Sequence, residues 1–142
     1  MRKDKCIFCQ IANGEIPSRT LYEDEAFRVI LDISPLTKGH ALILPKNHYA
    51  NIYELPDDLC AGVMKVAKRM CVKMKKKLAC DGFNIQSNNE EAAGQTIFHF
   101  HMHLIPRYEE DDRERQASVI ALAPGNPDEE ELNAIFSQIS CE

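Results

Sequence analysis

Apolar and polar positions alternate strictly between residues 98 and 104. Phe98, Phe100, Met102 and Leu104 occupy one parity; His99, His101 and His103 occupy the other. A period of two marks a half-buried β-strand, because successive side chains point to opposite faces of a sheet. The spacing predicts three imidazoles on one face, neighbours roughly 7 Å apart at about 3.3 Å rise per residue. It also predicts an apolar face that something must cover. A helix, turning about 100° per residue, would scatter the three rings. The pattern therefore predicts a strand within Gly94–Arg107.

Elsewhere the periods change. Phe27–Ile33 (FRVILDI) and His40–Pro45 (HALILP) are short apolar, β-branched runs that predict buried strands. Thr20–Tyr22 and Gly82–Ser87 predict two more. From Pro56 to Leu78 the apolar positions Leu59, Val63, Val66, Met70, Met74 and Leu78 recur every three or four residues. That is a long amphipathic helix, with acids suited to its start and lysines to its end. Ile7–Ala12 predicts a short helix stopped by Asn13-Gly14. Asp128–Ile139 predicts a C-terminal helix with Leu132, Ile135, Phe136 and Ile139 inward. Paired strands, a long helix and paired strands again predict an α+β domain with helices against an antiparallel sheet.

Length and charge narrow the classes. The 142 residues suit one domain over 1–142, with a core of about 4–108 and a C-terminal extension over 109–142. No apolar run approaches the roughly 18 residues of a membrane span, and the charged N-terminus lacks the apolar core of a secretory signal. A cytoplasmic protein without membrane contact is expected. The net charge of −5 argues against nucleic-acid binding. Seven basic residues lie between Lys65 and Lys77, and are read as a solvated helix face. The acidic stretch Glu109–Glu114 is read as a solvated linker. Of the six cysteines, Cys60, Cys71, Cys80 and Cys141 show no metal spacing. Cys6 and Cys9 have the C-x2-C spacing of half a zinc site, to be completed by histidines, or form a helical turn whose thiols pack.

Three imidazoles on one strand face fit either an open metal site or nucleophilic catalysis, in which one ring attacks and its neighbours hold tautomer and charge. Gly94-Gln95-Thr96 sets an amide and a hydroxyl just upstream, donors suited to a phosphate-like oxygen. Asp32, before the turn at Ser34-Pro35, reads on its own as a turn cap; His40 reads as a strand-end residue. The residues alone leave these alternatives open.

His99-x-His101-x-His103, with GQT upstream, PR downstream and Asp-Ile-Ser-Pro earlier, resembles the signature of the histidine triad (HIT) superfamily of nucleotide-binding hydrolases and transferases. Cys6–Gly14, Phe27–His48 and Gly82–Arg107 are similar to its compact nucleotide-phosphoramidase-like bacterial members. The resemblance implies a five-stranded antiparallel sheet with a long helix and a C-terminal helix, and sheets joined in a two-fold homodimer. It implies a purine nucleotide substrate attacked at its α-phosphorus. His101 would be the nucleophile, forming a nucleotidyl-histidine intermediate, with His103 on a phosphate oxygen. Thr96 and Gln95 would contact the phosphate or leaving group, and Asn88 the same side. Asp32 would hold the ribose hydroxyls, His40 would fix hydrogen bonding beside the triad, and Phe8, Ile11, Ile30 and Ile33 would form the base slot. It further implies a structural zinc on Cys6, Cys9, His48 and His99, which would bar His99 from attacking; no redox cofactor is implied. Two other activities fit the same motifs: diadenosine polyphosphate hydrolysis, and non-enzymatic nucleotide binding as a scaffold.

Overall fold

The computed structural model describes residues 3, 5–112, 119 and 122–140. The elements are α1 (Ile7–Ala12), β1 (Thr20–Glu23), β2 (Phe27–Leu31), β3 (Ala41–Pro45), α2 (Asp57–Leu78), β4 (Gly82–Gln86), β5 (Met102–Arg107), α3 (Glu109–Asp112) and α4 (Glu129–Ser140). The five strands form one sheet in the order β1-β2-β3-β5-β4. Every neighbouring pair is antiparallel. The fold is the expected α+β class.

Covered faces explain the apolar runs. On β2 and β3, Phe27, Val29, Leu31, Ala41 and Ile43 point to one side, where the α2 stripe Val63, Val66, Ala67, Met70, Met74 and Leu78 packs on them. Ile30, Leu42 and Leu44 point to the other side, against Phe8 and Ala12 of α1. A strand covered on both faces loses its alternation and reads as a continuous apolar segment. Ile139 of α4 joins the α2 side, with Ile135 and Phe136 beside it. No helix among the described residues is long and apolar enough to cross a membrane.

Two boundaries differ from expectation in ways that shape the site. The strand carrying the histidine motif begins at Met102, not at Phe98, because the β3–β5 ladder ends at the Ile43–Met102 pair. Pro45 has no N–H to extend that ladder, and its carbonyl is taken by the His99 ring. The chain from 97 to 99 bends instead, and Phe100 N–H donates to the Tyr49 carbonyl at 2.6 Å. Phe98 consequently stays 47% exposed rather than joining the apolar face, while Phe100 is buried. The second difference is that β2 stops at Leu31, leaving Asp32 and Ile33 in the turn that leads to β3. Gly39 closes that turn with φ +88°, and a Cβ there would meet Leu78 Cδ1 at 2.6 Å. Only glycine fits. Helix α3 occupies part of the expected acidic linker; the remainder of that stretch through Glu114, and the Cys141 thiol, lie outside the described residues.

Candidate active site and metal cluster

The bend before β5 separates the three histidines into two clusters. His101 and His103 lie with ring centroids 5.0 Å apart. His99 turns to His48, centroid to centroid 5.2 Å. Phe8 of α1 stands edge-on to both His99 and His101, at 6.0 and 5.0 Å. The single three-imidazole face expected of an unbroken strand does not form.

Main-chain neighbours decide the tautomers of His99, His101 and His40, and His40 in turn decides that of His103. A carbonyl only accepts and an amide N–H only donates, so the ring nitrogen facing each has no choice. His99 Nε2 lies 2.8 Å from the Pro45 carbonyl. It carries the proton, and Nδ1 keeps a lone pair. His101 Nδ1 lies 2.9 Å from the His99 carbonyl. It is protonated, and the lone pair sits on Nε2. His40 Nδ1 receives the Leu36 N–H at 3.0 Å. Its proton is therefore on Nε2, donated to His103 Nδ1 at 2.9 Å. That leaves His103 with an N–H at Nε2. One lone pair thus serves the thiols, one is available for attack, and one ring is a donor.

These assignments require neutral rings, and burial supplies the reason. Desolvation holds His99 down at about 4, partly offset by its bond to the Pro45 carbonyl. It holds His103 down at about 3, with His101 and His40 adding to the effect. His101 and His40 are lowered by the same cause, against the opposing pull of Asp32.

The cleft beside His101 and His103 has a volume of about 610 Å³, within the roughly 300–1,000 Å³ usual for small-molecule sites. Phe8, Ile11, Ile30, Ile33, Asp32 and Thr96 all line it, together with Ile7, Ile16, Arg19 and Leu42. Ile33 is nonetheless 69% exposed, so it forms a rim rather than a floor. Asp32 combines two placements: Oδ1 accepts the Ser34 N–H at 2.8 Å as a turn cap, while Oδ2 lies 3.7 Å from His40 Nε2.

Gln95, Asn88 and His40 are not among the lining residues. Gln95 is buried, with its oxygen accepting the Glu90 N–H at 2.8 Å and its nitrogen donating to the Ala50 and Ile97 carbonyls at 2.6 and 3.1 Å. Its amide is used in holding the loop that presents Thr96. Glu90 takes φ +73° there, a conformation this clamp holds. Asn88 is half-buried in that loop, near Gly94. His40 works one layer behind His103.

Cys6, Cys9, His48 and His99 bring four ligand atoms within 4.8 Å of one another. The separations that test a metal are Cys6 Sγ–His99 Nδ1 at 3.5 Å, Cys9 Sγ–His48 Nδ1 at 3.3 Å and Cys9 Sγ–His99 Nδ1 at 3.4 Å. Tetrahedral zinc with bonds of about 2.3 Å to sulfur and 2.0–2.1 Å to nitrogen would space such atoms about 3.5 Å apart. The donor set fits. Amides of Cys9 and Lys3 point at Cys6 Sγ and Cys9 Sγ at 3.4 and 3.3 Å, as expected around thiolates. Asp32, His40 and His103 also converge, but the proton on His40 Nε2 occupies the position a metal would need. The tautomer argues for a hydrogen-bond relay there rather than an open metal site.

The chain is similar to several known proteins. The profile of the HIT domain matches residues 13–110. An uncharacterized HIT-like protein from Methanocaldococcus jannaschii is 51% identical over 106 residues, covering 75% of this chain and 81% of its own length. An adenosine 5'-monophosphoramidase from Saccharomyces cerevisiae is 43% identical over 105 residues, covering 74% of this chain and 64% of its own. The crystal structure of a zinc-bound histidine triad family protein from Mycobacterium smegmatis aligns with a TM-score of 0.79 at 36% identity, covering 96% of this chain and 94% of that one.

A half-buried neutral histidine makes stability depend on pH. His103 titrates at about 3 in the fold and at about 6.5 when unfolded. Between those values the unfolded chain binds the extra proton, so this contribution is complete above about pH 6.5 and is lost as pH falls towards 3. Urea melts should show stability rising with pH across that window, and ring-proton NMR should find His103 still neutral at pH 5. A His103 midpoint near 6.5 would contradict its burial as the controlling effect.

Proposed function

The chain belongs to the HIT domain family, and from that membership we propose that it is a hydrolase acting at the α-phosphorus of a purine nucleoside 5'-phosphoramidate or related compound. The observation that carries this reading is the pairing of a free lone pair on His101 Nε2 with an N–H on His103 Nε2, both from rings lining one cleft. The similarity to the yeast monophosphoramidase supports the choice of substrate.

His101 Nε2 attacks the α-phosphorus, and a phosphorus–nitrogen bond forms. The bond to the leaving amine breaks with its electron pair going to that nitrogen, which takes a proton from solvent; the water of the second step returns that proton. The positive charge gained by the ring is stabilised by the His99 carbonyl on Nδ1–H. Water then attacks phosphorus and displaces the imidazole, giving the nucleoside monophosphate and restoring His101. Splitting one displacement into two is the benefit of covalent catalysis. His103 Nε2–H holds a non-bridging oxygen, with His40 fixing its direction from behind. Thr96 contributes a hydroxyl on the phosphate or leaving-group side, Gln95 positions it, and Asn88 stands in the same loop. Asp32 Oδ2 accepts from the ribose diol, and Phe8, Ile11, Ile30 and Ile33 receive the purine.

We assign Cys6, Cys9, His48 and His99 to a structural zinc, supported by their spacing and by the zinc-bound Mycobacterium smegmatis structure. Cys6 and Cys9 at α1, His48 in the turn after β3 and His99 at the start of the histidine motif would hold the metal, which would supply a structural cross-link between those segments. The same chain residues keep Phe8 against His101. A homodimer is proposed as well: β4 is an open sheet edge with Ile85 exposed, and Met64 and Val72 of α2 are exposed. An unpaired edge of this kind is a ready template for a second copy. Sedimentation at micromolar concentration should give a species of twice the chain mass, and a monomer there would remove the dimer.

His101→Asn should abolish turnover of an adenosine phosphoramidate while nucleoside monophosphate still binds in calorimetry; activity within a few-fold of the parent would discard the nucleophile. In the same calorimeter Asp32→Ala should weaken ribonucleotides roughly ten- to a hundredfold and 2'-deoxyribonucleotides less, since it removes a charged acceptor. Protein purified without chelator should contain one zinc per chain by elemental analysis, and stripping it should lower the melting temperature before activity is lost. Free thiols at Cys6 and Cys9 with no metal would return them to packing.

A further inference from the structure

The matched family domain ends at residue 110, yet the chain beyond it contacts Arg19 of the cleft and, next to the cleft, the Pro35 carbonyl of the turn that carries Asp32. Gly125 N–H donates to the Pro35 carbonyl at 2.7 Å. Arg19, which lines the cleft, donates from Nη2 to Glu129 at 2.6 Å and from Nε to Asn133 at 3.0 Å. Helix α4 is itself anchored elsewhere, by buried Leu132 and Ile139 and by Gln138, which donates to the Lys77 carbonyl at 2.9 Å. It is a fixed support rather than a loose tail.

The two contact points flank the turn that carries Asp32. On one side the Arg19 carbonyl accepts the Leu31 N–H at 3.1 Å, immediately before Asp32. On the other, Pro35 follows Ser34, whose N–H is capped by Asp32 Oδ1. The far end of the turn is held within the domain: Leu36 on His40, Thr37 on the Pro106 carbonyl, and the Lys38 carbonyl by Tyr108 at 2.8 Å. The Pro35 carbonyl is left to Gly125.

We infer that the C-terminal segment Gly125–Asn133 is a positioning element for the nucleoside end of the cleft, bracketing Asp32 and so governing selectivity for the ribose diol. This rests on the reading of Asp32 as the ribose acceptor. A carboxylate already using one oxygen as a cap has one oxygen left for the sugar, and its placement follows the turn. The Arg19–Glu129 pair adds little to stability, because the Glu129 side chain is 86% exposed. Cutting it separates positioning from folding.

The test compares binding of AMP and 2'-deoxy-AMP to the full chain, with melting temperature measured alongside. Glu129→Ala/Asn133→Ala cuts one contact. Gly125→Pro removes the N–H of the other, and Gly125→Ala keeps the N–H while setting a Cβ 3.2 Å from the Pro35 oxygen. Each should weaken AMP by about fivefold, leave 2'-deoxy-AMP within twofold and barely move the melting temperature. That is part of the roughly tenfold or greater effect of losing a charged hydrogen bond. An unchanged ratio in all three variants, or equal loss for both sugars, overturns the inference. Asp32→Ala serves as the control: if it leaves the ratio unchanged, the ribose reading fails first, and this inference with it.

Discussion

The hydrogen bond from His99 Nε2 to the Pro45 carbonyl, 2.8 Å long and fully buried, determines what the other groups at the site do. It forms because β3 ends in a proline, whose missing N–H stops the ladder and whose carbonyl is left without a strand partner. A buried carbonyl must be satisfied, and the imidazole does it. Once that proton is fixed, the lone pair of His99 can only face Cys6 and Cys9. The bend that brings the ring there turns the His99 carbonyl onto His101 Nδ1. The same residue therefore belongs to the candidate metal cluster by its side chain and supports the proposed nucleophile by its backbone.

Much of the architecture follows from local patterns. The α2 stripe is a sustained helical period, and its inward residues are those the period names. The runs in β2 and β3 are continuous because two layers cover them. The histidine strand was legible in type but not in extent, since alternation persists through 98–101 although that stretch has left the ladder. Burial does not alternate there: His99, Phe100 and His101 are all buried in succession while Phe98 is exposed, and nothing in the residue types signals it.

The site was legible where spacing along the chain carries it, and obscure where distant segments supply it. Cys6 and Cys9 signal a ligand pair by separation alone; their histidine partners lie 39 and 90 residues further on. Gln95 looks like a substrate donor by type, yet burial commits its amide to Glu90, Ala50 and Ile97. Polarity does not tell which way a side chain turns. Arg19 carried no signal, because its partners Glu129 and Asn133 lie more than 100 residues away, on a helix whose apolar face and acidic first turn do not say what its polar side chains hold.

On the proposed function, burial also limits how an anion would be held in the cleft. The imidazoles there are neutral, and Arg19, the one Lys or Arg among the described lining residues, is engaged by α4. The phosphate end thus offers N–H and O–H dipoles rather than a permanent cation. A fixed cation would attract the phosphate of the product as firmly as that of the transition state. Dipoles aimed at one oxygen gain most when charge concentrates there during attack, and less before and after. On that proposal, a site of this kind would give up tight ground-state phosphate binding and place the remaining affinity on the nucleoside, where the apolar slot and Asp32 are proposed to act without competing with the chemistry.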